Sequence, residues 1–524
     1  MAFLRVSSRS SAMLSTAGQS TYRLLLRLKG TPGIVLGALV LSSLSVTVQT
    51  GIGFDPSYWL MWGAEITSGK LVTAHAWTSW KPLPMPFMVV FSLFGSAAPS
   101  LWMIVARAGT LVATALAFRI TWRLILDMLP ADPKQLRAQV PALLGGCVAA
   151  AGLLRLLLGW SMTGYSEGLA IALMLAGVEC MLKGRHKPAL FFYLAACLGR
   201  PEPLLAVMAY SVWLWRREPG LRKWMLGGPL LVLATWLIPE WIGSGDPFRA
   251  GKLGKVEHLH QTQPGDSNPL IVISGAFTAL PAATAAFLPA SLVAVIWAAK
   301  RGDRKPLLLS AIGIAWAVMV ALQVAFAASQ TTHPGVLRYM IPAQAFLLLV
   351  IGVGAGSGTF LIGRGLERIG LDPRVSAGAL ATIGVVGLTA SMSVSILPKY
   401  EVMQDGQRVV WRATRQLDRA ISRAGGPGTV RRCLPIANYP RWDATIAWKV
   451  GVTLRAFGRR GSPQDPLSRA DFGRGTTFRL TGRLASGKNT PYSPAAVAPG
   501  ATLASMAAPW YIFQRCSTKR HKKK

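Results

Sequence analysis

Leu337-Arg338-Tyr339-Met340-Ile341-Pro342-Ala343-Gln344-Ala345-Phe346-Leu347-Leu348-Leu349-Val350-Ile351-Gly352-Val353-Gly354-Ala355-Gly356-Ser357-Gly358 decides the fold class. After Arg338 no charged residue falls before Gly358, and nearly every position is apolar or small. A run of about 20 such residues, rising about 1.5 Å each, matches the roughly 30 Å hydrocarbon core of a bilayer. Similar runs recur near 35–50, 103–125, 141–159, 165–182, 188–200, 203–215, 225–243, 273–299, 306–328 and 377–397. The chain's 524 residues would suffice for two or three soluble domains, but 52% of them are hydrophobic and they come in runs rather than in alternation. The pattern predicts an all-α polytopic membrane protein of about 11 transmembrane helices. Two of the runs, 188–200 and 203–215, are short for separate crossings, and Gly199-Arg200-Pro201-Glu202-Pro203 joins them.

Charge orients the spans. Fifty-six Lys and Arg against 21 acids leave a net charge of +35. The basic residues gather between apolar runs and in the last quarter of the chain. That distribution suits membrane orientation and anionic membrane lipid as a partner, not nucleic acid. Lys183, Arg185 and Lys187, then Arg216, Arg217, Arg222 and Lys223, then Arg301, Arg304 and Lys305, then Arg364, Arg368 and Arg374 alternate as cytoplasmic loops should. The expected topology is a multi-pass protein of the plasma membrane with a cytoplasmic N-terminus and an extracytoplasmic C-terminus. Three parts follow: a basic cytoplasmic segment 1–33, a transmembrane domain 34–398, and a basic tail 399–524. The N-terminal segment lacks an Ala-x-Ala cleavage pattern, so the first span is read as uncleaved.

The tail carries 24 Lys and Arg against six acids. Within 407–424, Val410, Trp411, Ala413, Leu417 and Ala420 alternate with five arginines as an amphipathic helix would. Residues 456–500 are rich in Gly, Pro, Ser and Arg and are expected to be irregular or partly disordered. The closing Lys519-Arg520-His521-Lys522-Lys523-Lys524, taken alone, favours a cytoplasmic end. Of the five cysteines, only Cys433 and Cys516, both in this polar tail, are candidates for a disulfide.

Candidate chemistry gathers at the predicted outer ends of the spans. The first outer loop, 51–102, opens with Gly53-Phe54-Asp55-Pro56-Ser57-Tyr58-Trp59. An acid just past a membrane exit and among aromatic rings suits a general base. It equally suits a cap for a helix starting at Pro56. Glu65 is a reserve carboxylate in the same loop, and Lys81, before Pro82, could neutralise a phosphate. Intramembrane charges are costly unless paired or hydrated, which singles out Arg107, Glu167, Arg200, Glu202 and Arg338, with Tyr339 beside the last. These residues read either as structural ion pairs or as a pocket whose arginines hold a lipid phosphate while a carboxylate acts on a hydroxyl. The histidines are scattered, and His258 with His260 is too little for a metal site.

Phe54-Asp55, the Lys81-Pro82-Leu83 turn, Gly95, Arg107, the Arg200-Pro201-Glu202 triplet and the Arg338-Tyr339 pair resemble the polytopic membrane glycosyltransferases of the C-type fold. The likeness is strongest to the mannosyl- and arabinosyltransferase-like integral membrane proteins of actinobacteria, and it covers about residues 30–398. It implies a polyprenyl-phosphate sugar donor, a glycan or lipid acceptor, inverting transfer at the outer membrane face, and a role in cell-envelope synthesis. It also implies that Asp55 is the catalytic carboxylate, with Glu65 the weaker choice. Family members place a base or a metal-linked acid in this loop, so a divalent cation is the one cofactor the resemblance raises. No Asp-Asp or Glu-Asp pair stands near residue 55 here, which leaves metal use undecided. The competing classes are a transporter or flippase for a lipid-linked substrate, and a non-catalytic membrane protein of envelope assembly.

Overall fold

A computed structural model describes residues 30–130, 135–253, 274, 287–330, 337–437, 442–457, 475–480 and 501–516. Most of the basic N-terminus, much of 456–500, the closing basic run, and His258 with His260 lie outside them.

The described chain is mostly helical. Helix α1 is Thr31–Ser45, α2 Phe54–Thr67, α3 Met85–Ser92, α4 Ala98–Met128, α5 Leu136–Met162, α6 Glu167–Leu182, α7 His186–Cys197 and α8 Pro203–Leu214. Then follow α9 Arg222–Ser244, α10 Leu288–Lys300, α11 Lys305–Gln330, α12 Ile341–Arg368, α13 Pro373–Ser395, α14 Leu397–Arg423, α15 Gly426–Arg432 and α16 Asp443–Val450. Six helical segments among the described residues are long and apolar enough to cross a membrane: those of α4, α5, α9, α11 and α12, and the continuous stretch of α13 and α14. The other expected runs fall on α1, α6, α7, α8 and α10. The shortest of these, α7 and α8, have 12 residues each, about 18 Å of helix against a core of about 30 Å. By length and composition, six helices among the described residues are able to cross a membrane, and this does not confirm the expected count of about 11.

The bundle core is built from α4, α5, α6, α10, α11 and α12. Leu116, Ile120, Ile125, Leu153, Leu175, Leu349 and Ile351 are buried there. Glycines let its helices approach closely. A Cβ on Gly145 would stand 2.4 Å from the Gly352 carbonyl oxygen, and one on Gly352 would stand 2.6 Å from that of Gly145. With apolar lipid outside, such close backbone packing supplies much of the helix association.

The loop after α1 and the tail make a second core. Tyr58, Trp59, Trp62, Trp80 and Trp102 pack with Ala413, Leu417, Trp442, Phe478 and Trp510. The amphipathic helix expected at 407–424 is real but longer, Leu397–Arg423. Ala413, Leu417, Ala420 and Ile421 form its buried stripe. That stripe meets protein rather than lipid: Trp510 Nε1 donates to the Ala413 carbonyl at 2.8 Å, and Ser505 Oγ to that of Ala420 at 2.7 Å.

The tail also departs from the all-α expectation. Strands β1 Ile436–Ala437, β2 Gly475–Leu480, β3 Thr502–Ala507 and β4 Trp510–Arg515 form one sheet in the order β1-β2-β4-β3. Pairing is parallel between β1 and β2 and antiparallel elsewhere, with Phe478 opposite Ile512 and Ala507 opposite Trp510. Strand β2 lies inside the stretch read as irregular. Its Thr-Thr-Phe centre fits a pleated, half-buried surface, whereas the surrounding Gly and Arg content masked that signal. A disulfide joins Cys433 to Cys516 across the end of this sheet.

Candidate functional site

Chain direction brings the polar ends of several helices together. Arg119, deep in α4, donates to Thr31 Oγ1 at the start of α1, and it pairs with Glu179 in the last turn of α6. The start of α4, the end of α5 and the start of α6 therefore share the opposite end of the bundle, and α2 sits over that end. Gly53 fastens it: its N–H donates to the Thr163 carbonyl at 2.8 Å, and a Cβ there would lie 2.8 Å from both that oxygen and the Tyr165 ring.

Gly53 is also the N-cap of α2, so Asp55 is not the cap but stands in the first turn. A helix N-terminus favours an anion there. The Asp55 carboxylate instead turns inward, where Thr78 Oγ1 donates to Oδ1 at 2.9 Å and Arg338 Nη1 to Oδ2 at 3.1 Å. Lys81 Nζ lies 3.8 Å from Asp55 Oδ2 and 3.9 Å from Glu167 Oε1. Arg200 Nη2 donates to Glu167 Oε1 at 3.1 Å and to the Arg338 carbonyl at 3.3 Å. Its Nη1 stands 3.9 Å from Glu202 Oε1. Tyr339 covers both guanidinium groups, 4.6 Å from Arg200 and 5.7 Å from Arg338. The Lys81 ammonium lies 5.3 Å from the Trp59 ring centre.

Seven of the nine residues singled out in the sequence thus form one buried network: Asp55, Lys81, Glu167, Arg200, Glu202, Arg338 and Tyr339. Three carboxylates face three cations, so the cluster is close to neutral, as desolvated charge must be. Not every atom is satisfied: Glu167 Oε2, Glu202 Oε2 and Arg338 Nε are buried without a hydrogen-bond partner. Buried polar atoms are nearly always paired, so these three have capacity left to bond a further polar group.

Burial opposes ionisation of Asp55, but Arg338, Lys81 and the Thr78 hydrogen bond outweigh it and hold the carboxyl below its usual range. Burial pulls Lys81 down, and Glu167 and Asp55 restore only part of the difference.

Two singled-out residues lie elsewhere. Glu65 is ten residues along α2 from Asp55, about 15 Å of helix rise. It accepts from the Val72 N–H at 2.9 Å under the tail, and burial raises its carboxyl to about 7. Arg107 donates to the carbonyl and hydroxyl of Ser45 and to Thr50 Oγ1, which ties the end of α1 to α4.

Sequence reading missed the clamp that positions Thr78 and Lys81. Arg249 Nη1 donates to the Ala76 carbonyl at 3.0 Å and Nη2 to that of Thr78 at 2.9 Å, while Nε pairs with Glu240 Oε2 at 2.9 Å. Glu240 Oε1 accepts from the Trp80 N–H at 3.1 Å, and the Leu83 N–H bonds the Leu198 carbonyl at 2.9 Å. Segment 76–83 is thereby held from both sides without regular structure. No local pattern marks Thr78, Glu240 or Arg249, whose partnership exists only across the fold.

A divalent cation does not fit the residues present. Among the described residues no three His, Cys, Asp or Glu side chains gather to hold a metal ion, and both Asp55 oxygens already accept hydrogen bonds. No protein-family model matches this chain, and no curated protein matches it in sequence.

Proposed function

We propose that the protein is a membrane-embedded glycosyltransferase that moves a sugar from a polyprenyl phosphate to an acceptor hydroxyl with inversion, in cell-envelope synthesis. The observation that carries this reading is the buried Asp55 carboxylate, set against Arg338 and Lys81 at one end of a membrane bundle. The acceptor oxygen attacks the anomeric carbon, the bond from that carbon to the phosphate oxygen breaks, and the hydroxyl proton passes to Asp55. The polyprenyl phosphate leaves with the bonding electron pair, neutralised by Arg338, Lys81 and Arg200.

The starting pairing has a consequence for the base. A carboxylate held by two cations binds protons weakly, but a phosphate entering beside Arg338 and Lys81 competes for them. As they turn to the phosphate, Asp55 loses its stabilising charges and its proton affinity rises. Donor binding would thus prepare the base. Tyr339 and Trp59 offer faces on which a sugar could rest.

The reading includes the finer topology: 11 crossings, with the short helices traversing a locally thinned or polar-lined region, and Asp55 at the extracytoplasmic side. Two features support that side. Cationic loops collect at the opposite end, and the tail that covers α2 contains a disulfide, which persists in oxidising compartments. A transporter for the same lipid-linked substrate is less well supported, because its charges should straddle the midplane rather than collect at one end.

Reconstitution of the purified full chain in vesicles, with a labelled polyprenyl-phosphate sugar and a hydroxyl acceptor, tests the reading. New glycosidic product supports it. Movement of intact donor between leaflets without product would favour the transporter.

A further inference from the structure

A second cavity lies away from the carboxylate network, between α5, α12 and α13, and shares no lining residue with it. Its volume is about 380 Å³, within the range of about 300–1,000 Å³ typical of small-molecule sites. Val148, Gly152, Ile383, Gly384, Gly387 and Leu388 line its walls, which are apolar over most of their area. Ile362 and Ile383, also lining it, are largely exposed on the outer surface of the bundle, so the cavity opens sideways toward the hydrocarbon.

One end of this cavity is different. Arg155 lines it, seven residues before the end of α5, which places it about 10 Å from the end of the bundle that carries Asp55. Lys399, in the first turn of α14, donates Nζ–H to the Arg155 carbonyl at 3.1 Å. The Lys399 ammonium therefore stands beside the backbone of Arg155, at the end of the apolar space that the Arg155 side chain lines. Ser391, also lining the cavity, adds a hydroxyl.

We infer that this cavity is a binding site for one anionic phospholipid of the bilayer, with an acyl chain in the apolar space and the phosphate at Arg155 and Lys399. Charge complementarity selects an anionic headgroup, and the lateral opening selects a ligand already in the membrane. The cavity is small and contains no carboxylate, which suits a single acyl chain rather than a reacting polyprenyl donor. Because α13 continues into α14, a lipid held here would bear on the helix whose buried face carries the tail sheet. The inference requires the membrane placement but not the proposed chemistry.

Native mass spectrometry of the purified full chain, delipidated in mild detergent, tests it with four probes: dioleoyl phosphatidylglycerol, dioleoyl phosphatidylcholine, glycerophosphoglycerol without chains, and a long-chain polyprenyl phosphate. Phosphatidylglycerol is expected to bind at least tenfold more tightly than each of the others. Arg155→Gln with Lys399→Gln is expected to weaken it by about tenfold or more, since each cation near an anionic lipid contributes appreciably, and Arg155→Lys to retain it. Gly387→Phe fills the space from a position where a Cβ meets nothing within 4 Å, and should reduce occupancy without lowering the lipid-free unfolding temperature. Equal binding of the two dioleoyl lipids, or unchanged binding in both the double variant and Gly387→Phe, would overturn the assignment. Preferential binding of glycerophosphoglycerol or of the polyprenyl phosphate would overturn it as well, in favour of a free-anion or donor site.

Discussion

Arg338 stands 283 positions beyond Asp55 in the chain and donates Nη1–H to its Oδ2 at 3.1 Å. This bond joins the turn just before α12 to the first turn of α2, and so fixes the loop after the first helix to the end of the bundle. Removing one partner of a buried ion pair strands the other, at a cost of about 3–5 kcal/mol. Arg338→Gln is expected to lower stability by an amount of that order, whereas Asp55→Asn with Arg338→Gln should lose less than the sum of the single changes. Detergent-phase thermal unfolding of the four proteins in the cycle measures the coupling. Additive losses would mean the two side chains do not interact.

The pH dependence should come partly from Glu65. Its carboxyl is raised to about 7, first by burial, with the Val72 N–H and Arg455 opposing. The sign follows from proton uptake. Between the unfolded value near 4.5 and the folded value near 7, the folded chain binds more protons, so Glu65 makes stability fall as pH rises through that window. Above about pH 7 the full penalty, on the order of 1–3 kcal/mol, is present. His75, lowered by burial and by Arg455 and Arg249, works in the opposite sense below its ordinary value. Glu65→Gln should therefore be more stable than wild type at pH 8 and nearly equal at pH 4.5. Unfolding temperatures of the two proteins from pH 4.5 to 8 check this, and a constant difference across the range would contradict it.

Legibility in the sequence tracked how local each constraint is. A membrane dictates run length, so most apolar runs coincide with helices, with bounds that differ by a few residues. The convergence of Lys81, Glu167, Arg200 and Arg338 followed from each lying at the same end of an alternating bundle. Their pairings did not, because sequence gives depth but not azimuth around the bundle. The tail sheet was unreadable for another reason. Strand β1 has two residues, β2 is held between β1 and β4, and β3 and β4 pack on α14, so no segment carries the sheet alone. The amphipathic pattern of α14 does not name what its apolar face meets; that face is held by Trp510 and Ser505.

The side of the tail is open to a direct chemical check. In Cys433→Ser the exposed Cys516 thiol is released from its disulfide. A membrane-impermeant maleimide should label it in intact cells if α2, the tail and the carboxylate network share the extracytoplasmic side. Labelling that requires permeabilised membranes would place them inside. The same variant should be about 2–5 kcal/mol less stable than wild type, the usual loss on removing a native disulfide.

The central claim is that Asp55 acts as the base of a sugar transfer, and its most direct test is transfer of labelled sugar from polyprenyl-phosphate donors by membranes carrying wild type or Asp55→Asn at matched abundance. Asparagine keeps the shape and can still accept from Thr78, but it cannot take the hydroxyl proton. General-base loss typically costs about 10²- to 10⁴-fold. A fall of that size, with the variant still folded, is the expected result; transfer by Asp55→Asn within a few-fold of wild type would remove Asp55 from the chemistry.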